Sequence, residues 1–326
     1  MPGREPGGRR RVWTALGLLV LAMATLPAVP PQAASPVAGS PVAGSSLVES
    51  ILPVAQALGM TGALAAQSWS TTRFERQVAG ERTLDVTVNY GMGSFLLRPL
   101  EGERLYQARI RFDEDSVRPV HSYADGVLRV GVETLERGAR RTSLRRGGEE
   151  AELDLRLGRS VPTHLVLAFG AVRADLDLGG IALRSLDLST GASESTLRVS
   201  RRNPETLASA IIKVGAASFE ARELGRLRAR EFRVEAGVGE VRLDFEGLEE
   251  AETSVRVSIG LGALELQVPR GVGVHLTRSG FLSSLNAPDL ERQGNTWVSD
   301  NWDSAPVRIR LNVESALGSV TLNRIP

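Results

Sequence analysis

The chain has 326 residues, 42% hydrophobic, 24% charged and only 5% aromatic, which is ample for one large or two modest folded units and too apolar for a disordered chain. Cysteine is absent, which removes disulfide scaffolds, thiolate metal sites, thiol catalysis and Cys-linked lipid. A formal charge of +1 gives no basis for a nucleic-acid partner, and one lysine (Lys213) with three scattered histidines (His121, His164, His275) assembles neither a Walker A loop nor an HExxH site.

In chain order, Arg4 and Arg9–Arg11 precede an apolar run of about 15 residues, Val12 to Leu26, followed by prolines and small residues up to Ala34. That order predicts a secretory signal peptide over residues 1–33. The run is shorter than the ~20 residues that span a bilayer, so membrane attachment is expected only if the leader is kept. Without the leader, which carries four arginines and Glu5, the remaining chain has a net charge of about −2. Residues 34–70 open with the direct repeat SPVAG-SPVAG and continue into a stretch interrupted by Pro53, Gly59 and Gly62: a low-complexity tether with at most a short helix.

From residue 71 onward the periodicity is that of strands. Residues 71–157 predict a smaller N-terminal β region, with strands near Tyr106–Phe112, Pro119–Ser122 and Val127–Val132 and a hairpin turn at Ala124-Asp125-Gly126. A polar stretch, 136–152, makes a natural loop or boundary. Residues 158–326 then repeat one frame: alternating apolar residues, a glycine, and alternating apolar residues again. Its central glycines are Gly170, Gly191, Gly215, Gly237 and Gly260, at intervals of 21, 24, 22 and 23, with an earlier copy at Gly91 and a last one where Ala316 replaces glycine. Each unit reads as two short strands joined at a bend where a Cβ is unwelcome. A unit of about 22 residues cannot bury its apolar face alone, so the expected fold is all-β, a stack of short strands forming a β-solenoid. Residues 283–306, with Trp297 and Trp302, read as an irregular insertion before the last unit.

The segment VTVNYGMGSFLLRPL and the strands up to VLRVGVE resemble the N-terminal domain of toast-rack proteins. The run from VPTHLVLAFGAVRADLDL through FRVEAGVGEVRLDFEGL to SIGLGALELQVP is similar to the toast-rack β-solenoid, shared by LiaF-like envelope-stress regulators and adhesin-type domains. The resemblance covers about residues 83–326. It rests on structural motifs, so it implies a fold more directly than a function.

The GxG pairs, such as Gly237/Gly239, precede no helix and read as turn glycines, not a dinucleotide site. Each histidine lacks a catalytic partner in sequence. Asp113, Glu114 and Asp115 offer the oxygen ligands a hard cation wants, but such acidic clusters are ordinarily solvated turns. Arg137, Arg140, Arg141, Arg145 and Arg146 form a basic patch that could meet anionic polymer or lipid, partly cancelled by Glu149, Glu150 and Glu152. Trp297 and Trp302 could stack a sugar; capping the end of the stack is the plainer reading.

Aligning the units on their glycines also predicts neighbours. Five residues on come Asp175, Thr196, Glu220, Arg242 and Glu265; seven on come Asp177, Arg198, Arg222, Asp244 and Gln267. Stacked in register, these give cross-coil charge ladders Glu220–Arg242–Glu265, Asp177–Arg198 and Arg222–Asp244, each pair contributing ~0.2–1 kcal/mol. The leading expectation is an exported, non-enzymatic binding or adhesion module of the cell envelope, without cofactor or metal. Its partner would be a cell-wall polymer, a glycan or an envelope protein. The alternatives are a regulator of the envelope-stress or cell-wall-antibiotic response, and a polysaccharide-active enzyme built on a β-helix.

Overall fold

The computed structural model describes residues 68–135 and 150–326. The signal peptide, nearly all of the tether and the arginines 137–146 lie outside the described residues. The strands are β1 (Trp69–Gln77), β2 (Leu84–Leu100), β3 (Arg104–Asp113), β4 (Val117–Ala124), β5 (Val127–Thr134), β6 (Glu152–Gly158), β7 (Thr163–Asp177) and β8 (Leu183–Thr190). Then follow β9 (Glu194–Arg198), β10 (Leu207–Arg222), β11 (Ala229–Asp244), β12 (Glu252–Pro269), β13 (Gly273–Asn286), β14 (Glu291–Gln293), β15 (Thr296–Val298) and β16 (Arg308–Ile325). All join one sheet, whose main path runs β1-β3-β6-β2-β7-β8-β10-β11-β12-β16-β13-β15-β14.

The solenoid units are single long strands bent in the middle. In β10, Ala210, Ile212 and Val214 are buried before the bend and Phe219 and Ala221 after it. Between Val214 and Phe219 the two-residue alternation slips by one, as at a β-bulge, so both halves turn their apolar side chains inward. The same slip separates Ala236 from Val241 in β11 and Ile259 from Leu264 in β12. Each strand lies parallel to the next, and the register carries straight through the bend: Val214 pairs with Ala236 and Ala216 with Val238. The third side of each coil is a return segment whose apolar residues also point inward, such as Leu224 and Leu227 in the 3-10 turn between β10 and β11. Asn203, fully buried, ties three returns together. Its side chain accepts from the Leu183 N–H (3.0 Å) and donates to the Leu183 (2.8 Å) and Leu227 (3.2 Å) carbonyls.

β2 is the first bent strand and the parallel neighbour of β7. Its other flank pairs with β5 before the bend and β6 after it. The β4–β5 hairpin turns at Asp125 (φ 48°) and Gly126 (φ 79°). One apolar cluster runs from Leu84 to Leu322, so the core is continuous across residues 157/158. The far end differs from the sequence expectation. Residues 283–286 belong to β13, a further bent strand, and β16 sits between β12 and β13. Only β14, β15 and the turn after them form the irregular end.

Candidate functional site

Eight levels of strand stack in register: β2, β7, β8 with β9, β10, β11, β12, β16 and β13. At ~4.8 Å per level the stack is about 34 Å long. Residues at equal distance from the bend therefore form rows along its axis.

The corner row is the glycine row. A Cβ on Gly170 would lie 2.3 Å from the Gly91 carbonyl oxygen, on Gly215 2.7 Å from that of Gly191, and on Gly260 2.6 Å from that of Gly237. Close approach of the preceding coil, not a left-handed backbone, excludes a side chain there. Two positions further on, Gly239 and Gly262 do need positive φ, at 140° and 141°. The glycine row is also the floor of an open groove. One stretch of about 770 Å³ lies over Gly215, Gly237 and Gly260, beside Lys213, Glu235 and Glu314. A second, about 580 Å³, lies over Gly91, Gly170 and Gly191 and is walled by Tyr90, Val132 and Phe169. Lys213 and Glu235 are register partners on β10 and β11, yet neither has an ion pair or side-chain hydrogen bond among the described residues.

The row just past the corner is apolar and exposed at every level. Its large members Met92, Val238, Leu261, Leu317 and Leu282 are between 42% and 63% exposed. Ala171, Ala192 and Ala216 complete it on the intervening levels. Phe281, 88% exposed, stands in the corner row of β13, level with Ala316. Alignment on the glycines, applied one residue on, would have exposed this ridge in sequence; Phe281 lacked the glycine that marks the frame.

The rows five and seven residues past the corner carry the charges. Glu220 pairs in register with Arg242, and Arg242 with Glu265. Arg242 donates through Nε to Glu265 at 2.7 Å and lies 3.8 Å from Glu220. Its guanidinium holds the Glu265 carboxyl below the usual carboxylate range. The other two rungs do not form as direct pairs. Arg222 folds back along its own strand to Glu220 (2.9 Å), while Asp244 accepts the backbone N–H groups of Glu223 and Glu246. Likewise Asp177 accepts from Gly179 N, Ser200 N and Ser200 Oγ, and Arg198 turns to Glu223 at 3.2 Å. At a strand end, a carboxylate beside a turn finds fixed N–H donors nearer than a mobile guanidinium.

The remaining candidates are occupied structurally. Trp297 packs against the core in β15, facing Leu276 of β13, with Arg292 over its ring at 5.5 Å. Trp302 lies against His275 (5.4 Å) and beneath Arg310 (5.0 Å). His121 stacks on Phe74 and hydrogen-bonds Tyr106 through Nε2 (3.0 Å), and burial lowers its pKa. His164 Nδ1 meets Ser185 Oγ at 2.8 Å. Asp113 caps its own turn through Asp115 N and Ser116 Oγ. Among the described residues no group of three metal-ligating side chains converges.

Bent parallel strands stacked around one apolar core define a β-solenoid with a β-rich N-terminal extension. Residues 65–221 match the family model for the N-terminal domain of toast_rack, so that stretch bears out the toast-rack resemblance. Among solved structures, it is similar to a candidate cell adhesion protein from Clostridium sporogenes at 17% identity. That likeness covers 79% of this chain and 100% of that one, with a TM-score of 0.39. A candidate adhesin from Bacteroides fragilis is 13% identical over 79% of this chain and 98% of its own, with a TM-score of 0.36. A candidate lipid binding protein from Parabacteroides distasonis is 9% identical over 79% and 97%, with a TM-score of 0.32. No curated protein matches the chain.

Proposed function

We propose that this protein is an exported, non-enzymatic binding and adhesion module of the cell envelope. The observation that carries the reading is the repetition of outward rows at strand spacing over eight levels. A rigid surface of that kind engages an extended, repeating partner such as a cell-wall polymer or glycan through many weak contacts at once. The ladder carboxylates support a binding role: Glu220 and Glu265 are held by Arg242 and Arg222 and are poorly placed to pass protons.

The test is retention of the purified protein on peptidoglycan, anionic wall polymers and a glycan panel, with product analysis on the same samples. Saturable retention without turnover is expected. Cleavage of any polysaccharide at enzyme-like rates would overturn the reading in favour of a hydrolase or lyase.

A further inference from the structure

The ridge and the groove have complementary gradients along the stack. On β7 to β10 the ridge is low, with Ala171, Ala192 and Ala216 backed by the bare glycine floor, and it rises again only at Met92 on β2. Toward β13 it is high, with Val238, Leu261, Leu317 and Leu282, and it ends at Phe281. We propose that this face is the interface of an antiparallel, two-fold symmetric dimer.

Placing a second copy face to face, with the two-fold axis across the ridge between β10 and β11, sets each level against its mirror level. Leu317 then lies over Ala171 of the second copy, Leu261 over Ala192 and Val238 over Ala216, while at the two ends Met92 meets Leu282. Every small position receives a large one. In the corner row, Phe281 comes down on Gly91, where added atoms meet nothing within 4 Å, and enters the 580 Å³ hollow between Tyr90, Val132 and Phe169. An exposed aromatic at one end and an open stretch of groove floored by bare backbone at the other fit one another in shape, the arrangement in which a single aromatic anchor carries much of a binding energy.

The charges agree with the same operator. In the row two residues before the corner, Lys213 of one copy faces Glu235 of the other, twice across the axis, which gives partners to two charges that have none among the described residues. Three residues past the corner, Arg173 meets Ser319, Glu194 meets Ala263 and Ser218 meets Glu240, so no like charges oppose one another. A lipid surface is a poorer occupant: these flanking rows hold two cations against four carboxylates, where an anionic bilayer calls for a basic margin.

The footprint is about 34 Å by ~17 Å, or roughly 1,100–1,200 Å² over both copies, at the lower edge of specific interfaces, so a micromolar dimer is expected. The charged ladders lie outside it. Dimerisation and ligand binding are therefore separable, and the proposal is tested with no ligand present.

The experiment is sedimentation equilibrium of the full chain from about 1 to ~200 µM, with circular dichroism and melting to establish that variants fold. Wild type should show a monomer–dimer equilibrium. Phe281→Ser, at an exposed position, should weaken it at least tenfold with unchanged melting. Lys213→Glu and Glu235→Lys should each weaken self-association, by placing like charges across the axis. An equimolar mixture of those two variants should restore dimers, because every contact in the mixed pair is again opposite. A wild type monomeric throughout, a Phe281→Ser variant that dimerises as wild type does, or a mixture no more associated than its components would overturn the proposal. So would monomeric protein floating with neutral phosphatidylcholine vesicles in a Phe281-dependent manner, which would assign the ridge to lipid.

Discussion

Replacing Gly262 by alanine tests the corner most severely. The residue sits at φ 141°, and a Cβ built on it would lie 1.8 Å from the carbonyl oxygen of Gly239 in the preceding coil. Ordinary contact begins near 3.4 Å, so neighbouring coils spaced ~4.8 Å apart would have to part by about a third of their separation. The backbone strain costs about 1–3 kcal/mol, the overpacking about 1–3, and one lost ladder hydrogen bond about 1. Together these give roughly 3–7 kcal/mol, a large part of the ~5–15 kcal/mol that holds a domain folded. At ~2–4 °C per kcal/mol the melting temperature should fall by about 6–28 °C. Gly91→Ala is the internal control. It occupies the repeat's central position, has no positive φ and meets nothing within 4 Å, so it should be neutral or stabilising by up to ~1 kcal/mol. Thermal melting by circular dichroism compares them directly. If Gly262→Ala melts within about 2 °C of wild type, or Gly91→Ala falls as far, the close-approach account of the glycines is wrong.

Asn203→Ala strips partners from the Leu183 N–H and the Leu183 and Leu227 carbonyls in the interior, and should cost about 2–4 kcal/mol in denaturant unfolding. Tyr90→Phe should cost nothing and gain up to ~1 kcal/mol in the same assay, because the Tyr90 hydroxyl is buried without a hydrogen-bond partner among the described residues and burial pushes its pKa up. Glu81 is held down to about 2 by the Ala79 N–H, the Tyr123 hydroxyl and Arg76. A depressed carboxylate contributes its stability fully above its unfolded value near 4.5 and loses it as pH falls toward 2. Melting of wild type should therefore drop across that window, and Glu81→Gln should flatten the drop; equal slopes would remove Glu81 as its source.

The register was readable because one residue type marks one place in every coil. Counting from Gly215, Gly237 and Gly260 puts Glu220 beside Arg242 and Arg242 beside Glu265, and those are the pairs along β10, β11 and β12. Side-chain choice was less readable. Arg222 and Asp244 sit at the ends of their strands, and competition from Glu220 and from turn N–H groups is invisible until the chain is folded. β13 escaped because its corner holds Phe281 in place of glycine and its inward row holds Arg278 opposite Val313, breaking both the marker and the alternation. The groove and ridge are properties of the stack: no single unit displays them, and they emerge only when eight levels are superposed.

The place of β16 between β12 and β13 governs the order in which the molecule can be built. A solenoid of consecutive coils can zip up as it leaves a ribosome or a translocation pore, each coil templating the next. Here β13 emerges first and finds its proper neighbour not yet made. Its first half can hold only the β14–β15 hairpin, and the edge of β12 stays bare until β16 arrives between them. The last step also locks the end: Arg324 of β16 donates to the carbonyls of Pro269, Arg270 and Val272, pinning the turn that leads into β13. The closing strand is thus a wedge driven in late. Until it is seated, the edges of β12 and β13 that it pairs are open to neighbouring chains, so truncation within β16 exposes two strand edges at once.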